Sequence, residues 1–337
     1  MKYLLVDTAN LFFRAKHSVH IGTDAFTKLG FCLHLMFSSI NKAQRILKSD
    51  HIVFCLEGRS WRKDVYEPYK KNRKAKLAKL TDEELAEDKL FWEVFEEFAK
   101  YLQDSTNCTV LQNSQAEADD IIARWISLHT HDKHVILSSD SDFYQLITEN
   151  VVQYNGISDQ LITLNGYFDD KNRPIIDKKT NLPKLLPDPK WILFEKSIRG
   201  DTSDNIFSAY PGVRTKGTSK RIGLLEAFKD KDKKGYAWNN LMLQHWSDHD
   251  NNDHRVKDDY ERNNGLIGLT RQPQYIKDSI DLSIIETVLN NVNLNSPTIG
   301  FKFIKFCAKH ELNKLAEFPE QASQWLNATY NGELIND

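Results

Sequence analysis

The first half of the chain alternates short apolar runs with longer stretches in which apolar residues recur at helical spacing. The apolar runs predict buried strands at 3–6, 51–56, 109–111, 134–137 and 151–154. The helical spacing predicts helices near 26–48, 82–103 and 117–129. Because strands and helices alternate, we expect an α/β fold with a mostly parallel central sheet covered by helices on both faces.

The second half has a different pattern. A polar stretch rich in turn residues, 159–189, predicts a hairpin insertion or a connector. After Trp191 the pattern is helical to the end, apart from a polar loop predicted at 246–256. The sequence FKFIKFCAKHELNKLAEF at 301–318 predicts an amphipathic helix and a turn. We therefore expect an α/β domain over 1–190 and a helical region over 191–337.

Composition narrows the class of protein. The chain has 337 residues, 40% of them hydrophobic and 27% charged, which is typical of a globular protein. The apolar N-terminal stretch is interrupted by Asp7, so we expect neither a signal peptide nor a membrane anchor. The four cysteines lie far apart without a CxxC pair, which argues against a zinc cluster or a disulfide framework. We expect a cytoplasmic protein that makes no membrane contact.

Charge is segregated locally although the net charge is only −2. Between Arg59 and Lys79 there are nine basic residues against two acidic ones, and the segment 82–97 then reverses the sign. Such segregation builds a local field that the net charge hides. The basic segment fits either a nucleic-acid contact or a solvated helix face.

Acidic residues follow four of the predicted strands. In chain order they are Asp7, Glu57, Glu117 with Asp119 and Asp120, and Asp140 with Asp142. Carboxyl ends of parallel strands meet at one rim of a sheet, so we expect these side chains to converge there. Clustered carboxylates need counter-charge, and Mg²⁺ prefers oxygen ligands and pairs with phosphates. Two ions about 4 Å apart would suit phosphodiester hydrolysis.

The stretch NSQAEADDIIARWI at 113–126 allows two interpretations of its acids. Ser114 and Glu117 fit a capping box, and acids in a first turn complement the helix dipole. Alternatively the acids bind a cation. Glu117 and Asp119 flank the apolar stripe, whereas Asp120 points nearly opposite. We therefore expect Asp120 to be solvated and to pair with Arg124 at i+4.

Two further segments carry chemistry-bearing residues. The histidine-rich HTHDKH at 129–134 lies at a helix–strand turn away from the rim, which favours a surface loop over a metal site. Asp201 and Asp204, in SIRGDTSDNI, share a face if the segment is helical. The following TSKRIGLLEAF predicts a helix with basic residues in its first turn, and backbone N–H groups there could bind phosphate.

Five motifs in order resemble the phage and bacterial 5′ nuclease superfamily, which includes flap endonucleases, the 5′ nuclease domains of bacterial polymerase I and the T-even phage ribonuclease H. They are VDTANLFFRAKH, WRKDVYEPYKKNR, EADDIIA, SSDSDFYQL and IRGDTSDNI, and they span roughly residues 1–230. The resemblance implies a PIN-like 5′ nuclease fold with a helical arch at about 59–90. It also implies a helix–three-turn–helix at about 197–230, which grips a duplex backbone.

The resemblance implies two Mg²⁺ ions, for which Mn²⁺ substitutes. It assigns one ion to Asp7, Glu57, Glu117 and Asp119, and the other to Asp140, Asp142, Asp201 and Asp204. Asp120 also matches an acid common in phage members, which makes it a further candidate metal ligand and leaves its role open between a metal ligand and a solvated charge. Glu57 stands where the family usually has Asp, so its contact is expected to be longer or through water. Asp7 and Asp142 are the carboxylates expected to be catalytic, together with two basic residues.

These basic residues are Lys70 and Arg73, which match residues that contact the scissile phosphate and would stabilise its charge in the transition state. Phe13 and Arg14 match positions near the entering nucleotide, where Phe13 either stacks on a base or packs in the core. Further contacts with nucleic acid are expected from Arg62, Lys71, Arg214, Lys216 and Lys220.

We therefore expect a Mg²⁺-dependent, structure-specific 5′ nuclease that acts as a monomer on DNA or RNA/DNA with a free 5′ end. It would remove RNA primers or flaps in phage replication, and the resemblance adds a phage single-strand-binding protein as partner. A PIN-like ribonuclease is an alternative, but it would not need the segments 59–79 and 197–230. A non-catalytic nucleic-acid-binding scaffold is another, but it should have lost carboxylates.

Overall fold

The computed structural model describes residues 1–18, 24–219, 221–291 and 293–334. These residues form two compact units. The first comprises Met1–Ser60, Leu80–Leu186 and Gln274–Asp337, and the second comprises Trp61–Lys79 and Pro187–Pro273. The units do not follow the boundary predicted near 190. Residues 274–337 belong to the first unit, and the basic segment 61–79 belongs to the second.

A mostly parallel sheet forms the centre of the first unit. Its seven strands within the described residues are β1 (Lys2–Asp7), β2 (His51–Cys55), β3 (Thr109–Leu111), β4 (Lys133–Leu137), β5 (Val151–Asn155), β6 (Gln160–Thr163) and β7 (Gly166–Phe168). The order is β3-β2-β1-β4-β5-β6-β7, parallel from β3 to β5 and antiparallel beyond. The five predicted strands and the parallel sheet are confirmed.

The helices are numbered along the chain. They are α1 (Thr8–Ser18), α2 (Ala25–Leu47), α3 (Arg62–Val65), α4 (Lys71–Leu77), α5 (Asp82–Ser105), α6 (Ala118–Leu128), α7 (Pro189–Arg199), α8 (Leu224–Asp230), α9 (Tyr236–Met242), α10 (Val256–Ile267), α11 (Gln274–Leu289), α12 (Ser296–Lys309), α13 (Asn313–Ala316) and α14 (Pro319–Leu326). A 3₁₀ helix spans Ser141–Leu146. In the described part of the chain, none of these helices is long and apolar enough to cross a membrane.

Both faces of the sheet are covered, as the fold class requires. Alternate strand residues such as Leu4 and Phe54 join a core with α2, α5, α12 and α14. The predicted apolar stripe of α5 is buried in it, from Phe91 to Leu102. On the opposite face, Tyr3 meets Trp125 of α6 edge to face with ring centroids 5.2 Å apart.

The amino ends of the strands carry a buried histidine cluster, so the expectation of a surface loop at 129–134 is wrong for two of its residues. His129 and His134 are buried, and the His129 ring bonds the Trp125 carbonyl (2.9 Å) and the Tyr330 hydroxyl (2.9 Å). His51, on β2, is buried between the Ala328 carbonyl and the Thr109 hydroxyl, 2.8 Å from each. The rings of His129 and His134 pack against Tyr3 of β1, with centroids 5.0 and 5.6 Å from its ring, a contact that the local sequence pattern does not show.

Burial lowers the pKa of His51 and His134 from 6.5 to about 4, so these groups make stability depend on pH. The unfolded chain binds more protons between pH 6.5 and 4, and stability therefore falls as the pH falls through that range. Between pH 7 and pH 4.5 we expect the His134→Phe protein to lose roughly 2 kcal/mol less folding stability than wild type. Urea unfolding at several pH values measures this. The same change at exposed His131 is the matched control and should change the free energy of unfolding at pH 7 by less than about 0.5 kcal/mol.

The second unit is mainly helical. Phe194 and Ile198 of α7 pack with Leu224 of α8 and Val256 of α10 in its core. The predicted polar loop at 246–256 contains a short antiparallel hairpin, β8 (His245–Ser247) with β9 (Asp253–Arg255). The expectation of basic residues in the first turn of the helix after 218 is also wrong. That helix, α8, begins only at Leu224 after Gly223, and its first turn carries Glu226.

Candidate active site

The rim formed by the carboxyl ends of β1, β2 and β4 carries the first predicted carboxylates. Asp7 ends β1, pairs in register with Cys55 of β2, and is 6% exposed. Its Oδ2 accepts a hydrogen bond from Ser138 Oγ (2.8 Å), just beyond β4. Asp7 is therefore held at a defined position at the rim.

The segment after β2 is hydrogen-bonded to the segment that runs from the end of β3 to α6, and this brings Glu57 to the start of α6. The backbone N–H groups of Leu56 and Gly58 donate to the carbonyls of Leu111 (2.8 Å) and Ala116 (3.0 Å). A Cβ at Gly58 would lie 1.9 Å from the Asn113 carbonyl oxygen, so only glycine allows this approach. Glu57 is exposed, and its Oε2 accepts from the backbone N–H of Ala118 (3.4 Å).

Glu117, Asp119 and Asp120 form a carboxylate cluster at the start of α6. Each offers one oxygen, and these oxygens lie within 4.8 Å of one another. Ser60 Oγ donates to Glu117 Oε2 (2.9 Å), and the Asp120 backbone N–H donates to Asp119 Oδ1 (2.7 Å). Among the described residues, these three form the one set of at least three acids, histidines or cysteines that lie close enough together to share a metal ion.

Two expectations for this segment are wrong. The residue that caps α6 is Glu117 and not Ser114, and Asp120 Oδ2 closes the turn by accepting from the Glu117 backbone N–H (3.3 Å). Asp120 is consequently buried, at 0% exposure, rather than solvated. Arg124 pairs with Asp281 of α11 instead, through its Nε (2.8 Å) and Nη2 (2.6 Å).

The donor set of the cluster suits a hard divalent cation. All its side-chain donors are carboxylate oxygens, which favour Mg²⁺, Mn²⁺ or Ca²⁺ over zinc. The carboxylates of the rim also affect Cys55. Burial, together with the charges of Asp7 and Glu57, raises the pKa of this thiol. A bound cation would offset the charge that these carboxylates concentrate at the rim.

Asp140 and Asp142 lie in the turn after β4. Asp140 caps the 3₁₀ helix, with Oδ1 accepting from the Asp142 backbone N–H (3.0 Å). Ser138 Oγ accepts from the Asp140 N–H (3.1 Å), so one hydroxyl links this turn to Asp7. Buried Gln153 holds the turn by donating from Nε2 to the carbonyls of Ser138 (2.9 Å) and Asp140 (2.7 Å).

Asp201 and Asp204 belong to the second unit, where each meets basic side chains of that unit. Lys196 Nζ lies 2.6 Å from Asp201 Oδ2, and Ser203 donates to Asp201 Oδ1 from its N–H and hydroxyl. Burial opposes ionisation of Asp201, yet Lys196 and Ser203 together hold its pKa below the ordinary value. Asp201 is therefore a structured carboxylate.

Asp204 is surrounded by residues of the basic segment. Tyr69 donates its hydroxyl to Asp204 Oδ2 (3.0 Å), and Arg73 Nη2 lies 2.8 Å from Oδ1. Lys70 Nζ lies 3.7 Å from Oδ2, and its backbone N–H donates to the Asp204 carbonyl (2.9 Å). Lys70 has a φ of 53°, a left-handed backbone conformation that is strained for any residue other than glycine. Lys70 and Arg73, the two predicted phosphate contacts, are thus both held by Asp204.

The remaining predicted contacts differ in exposure. Phe13 is 44% exposed, with its ring nearly perpendicular to that of Phe91, so it is not a core residue, and Arg14 is exposed. Arg214, Lys216 and Lys71 are exposed, and Lys71 pairs with Glu67. Arg62 is buried and donates from Nε to the Leu266 carbonyl (2.6 Å), which removes it as a surface contact. Lys220 lies outside the described residues.

Sequence reasoning missed Ser60, Ser138 and Lys196, which bond Glu117, Asp7 and Asp201 respectively. Lys196 and Asp201 are five residues apart, and helical spacing does not bring such residues together. They meet because the chain turns at Gly200, where φ is 77°. A Cβ at Gly200 would lie 2.4 Å from the Ile206 carbonyl oxygen. The glycine in IRGD was the signal for this turn.

Comparison with known proteins identifies relatives of the chain. A family model described as 5′-3′ exonuclease, N-terminal resolvase-like domain, matches residues 2–173. A 5′-3′ exonuclease of Mycoplasmopsis pulmonis is 28% identical over 236 residues, covering 69% of this chain and 68% of its own. The flap endonuclease of Escherichia phage T5 is 26% identical over 233 residues, covering 67% and 69%.

Solved structures share the fold. A bacteriophage T5 flap endonuclease, in a complex with DNA and metal ions, superposes with a TM-score of 0.56 at 21% identity. The match covers 85% of this chain and 99% of that one. The likeness confirms the predicted α/β architecture of the 5′ nuclease type.

Proposed function

Since the chain belongs to the 5′-3′ exonuclease family, a family of phosphodiesterases, we propose that it is a structure-specific 5′ nuclease that depends on divalent metal ions. Its substrates would be DNA and RNA/DNA with a free 5′ end, including flaps. The observation that carries the proposal is the cluster of Glu117, Asp119 and Asp120 at the rim that Asp7 and Glu57 also occupy.

The fit of the rim to a metal rests on its donor set. Glu117, Asp119 and Asp120 would hold one ion with Asp7, while Glu57 is exposed and suited to a contact through water. A bound Mg²⁺ supplies Lewis-acid stabilisation of the phosphate and lowers the pKa of water. The chain's own contribution is positional, since Ser60 and Ser138 orient Glu117 and Asp7 before substrate arrives.

Lys70 and Arg73 would neutralise the scissile phosphate. The Arg73 guanidinium is 60% exposed while one of its nitrogens is held by Asp204, so it can turn a further N–H to a phosphate oxygen. Phe13 offers an exposed ring for stacking on an unpaired base, and Arg14, Lys71, Arg214 and Lys216 are exposed cations suited to backbone contacts.

Several finer assignments stay predictions from the sequence. They are the choice of Mg²⁺, the second ion held by Asp140, Asp142, Asp201 and Asp204, ribonuclease H-type primer removal, a role in phage replication, action as a monomer and contact with a single-strand-binding protein. The relative solved with DNA and metal ions supports a DNA substrate and a divalent cofactor for this chain.

Cleavage of 5′-labelled flap, nick and RNA-primer substrates tests the proposal. We expect Mg²⁺-dependent release of short 5′ products, no product in EDTA, and stimulation on the primer substrate by a phage single-strand-binding protein. Asp142→Asn should abolish cleavage, because it removes a charge from the turn that Ser138 links to Asp7. An Asp142→Asn protein as active as wild type would contradict the mechanism.

The same panel separates the alternatives. A PIN-like ribonuclease would cleave single-stranded RNA without needing a 5′ end or a flap junction. A non-catalytic scaffold would bind the flap and leave it intact, and calorimetry would find no Mg²⁺ or Mn²⁺ site. Each of these results would overturn the proposed nuclease and favour the alternative that predicts it.

A further inference from the structure

Helix α11 contacts the chain just before the carboxylate cluster. Asn113 is buried, and its Nδ2 donates to the Ser279 carbonyl (3.1 Å), the Ser279 hydroxyl (3.0 Å) and the Ser283 hydroxyl (3.0 Å). Its Oδ1 accepts from the Gln115 backbone N–H (2.9 Å), which shapes the turn leading to Glu117. One amide thus ties this turn to α11.

The same helix grips α6 just after the cluster. Arg124 donates to both oxygens of Asp281, a forked arrangement that fixes direction as well as distance. Both side chains are largely buried, at 17% and 21% exposure, so the pair is less screened than a surface ion pair. Asp281 lies between Ser279 and Ser283 in sequence, and a single stretch of α11 therefore holds both sides of the cluster.

Such support has a specific use at this site. Three carboxylate oxygens within 4.8 Å repel one another, and the backbone that carries them would relax apart unless other contacts resisted. Metal affinity depends on ligands already being in position, and groups that orient ligands typically change it by about 10- to 100-fold. The contacts with α11 lie on the segment that carries all three acids.

We propose that α11 is a positioning element for metal binding, acting through Asn113 and the Arg124–Asp281 pair. The inference rests on the proposed function, since it concerns the same metal site. None of the three side chains belongs to the carboxylate cluster or to the predicted ligand set. They would act by fixing the segment 113–124, so that Glu117, Asp119 and Asp120 present their oxygens together.

Charge reversal tests the ion pair. We expect Arg124→Asp and Asp281→Arg each to weaken Mn²⁺ binding, measured by calorimetry on the full chain without DNA, by about 10-fold or more. The double reversal should recover most of the affinity, because it restores an ion pair between the same positions. Asn113→Ala should weaken Mn²⁺ binding similarly without altering the charge.

A control reversal, Glu97→Lys, breaks the ion pair with Lys309 between α5 and α12 in the same unit. It should leave Mn²⁺ affinity within about twofold of wild type. Thermal unfolding of every variant in EDTA measures the purely structural cost. Variants that unfold at lower temperature but bind Mn²⁺ like wild type would overturn the positioning role and leave the proposed function intact. A wild-type protein that binds no Mn²⁺ would overturn the proposed function itself.

Discussion

Asp119→Asn is expected to slow cleavage of a 5′ flap by at least about 100-fold while leaving the unfolding temperature in EDTA unchanged or higher. The carboxylate lies within 4.8 Å of those of Glu117 and Asp120, so it supplies charge for binding a cation. Without a cation the same charge repels its neighbours, and the neutral amide relieves that repulsion. Activity and stability should therefore separate.

The separation is what distinguishes a functional carboxylate from a structural one. Asp119 Oδ1 accepts from the Asp120 backbone N–H (2.7 Å), and an amide oxygen can accept that bond as well. Asp104→Asn, at a half-exposed acid on α5 that pairs with Lys100, is the matched control and should change the cleavage rate less than twofold. Flap cleavage under single-turnover conditions, with calorimetric Mn²⁺ binding, gives both readouts. A stable Asp119→Asn protein with wild-type metal affinity would remove Asp119 from the ligand set.

The rim itself was predictable because it follows from strand position. Strands β1, β2 and β4 each contain a continuous apolar run, so their ends are visible in the sequence, and Asp7 and Glu57 come at or just after such ends. Parallel strands place those ends together whatever the loops do. The fold class and the convergence of carboxylates therefore needed no tertiary information.

The details of the rim depend on interactions that helical spacing does not describe. A helical wheel places Asp120 away from the core, but the helix begins at Ala118 and Asp120 turns back to the Glu117 backbone N–H. Through that bond its carboxylate lies in the cluster, while Arg124 pairs with Asp281, which lies 157 residues later. A contact at such separation leaves no local pattern in either segment.

The C-terminal helices show the same limit for the core. Their amphipathic pattern predicts a buried face but no partner for it. In the structure α12 and α14 join the core of the first unit, where Phe303 and Trp325 meet Phe37 of α2. A truncation after 295 would therefore remove part of the core and not only a surface.

Trp325→Ala should destabilise the first unit by about 3–5 kcal/mol, the range for deleting a large buried aromatic side chain. Trp325 is 1% exposed, packs against Phe37 and Phe54, and donates from Nε1 to Asn41 Oδ1 (2.6 Å). The change opens a cavity and also leaves the Asn41 acceptor without this donor. In a chain of this size the unfolding temperature should fall by roughly 10 °C.

Phe318→Ala, at an exposed aromatic residue beside α14, is the matched control and should shift the unfolding temperature by less than about 2 °C. Because Phe54 lies on β2, whose end leads to Glu57, loosening the core beneath it should also weaken Mn²⁺ binding before the protein unfolds. Equal unfolding temperatures for the two variants would show that the C-terminal helices do not complete this core. Loss of Mn²⁺ affinity in Trp325→Ala at a temperature where circular dichroism is unchanged would connect the C-terminal helices to the rim.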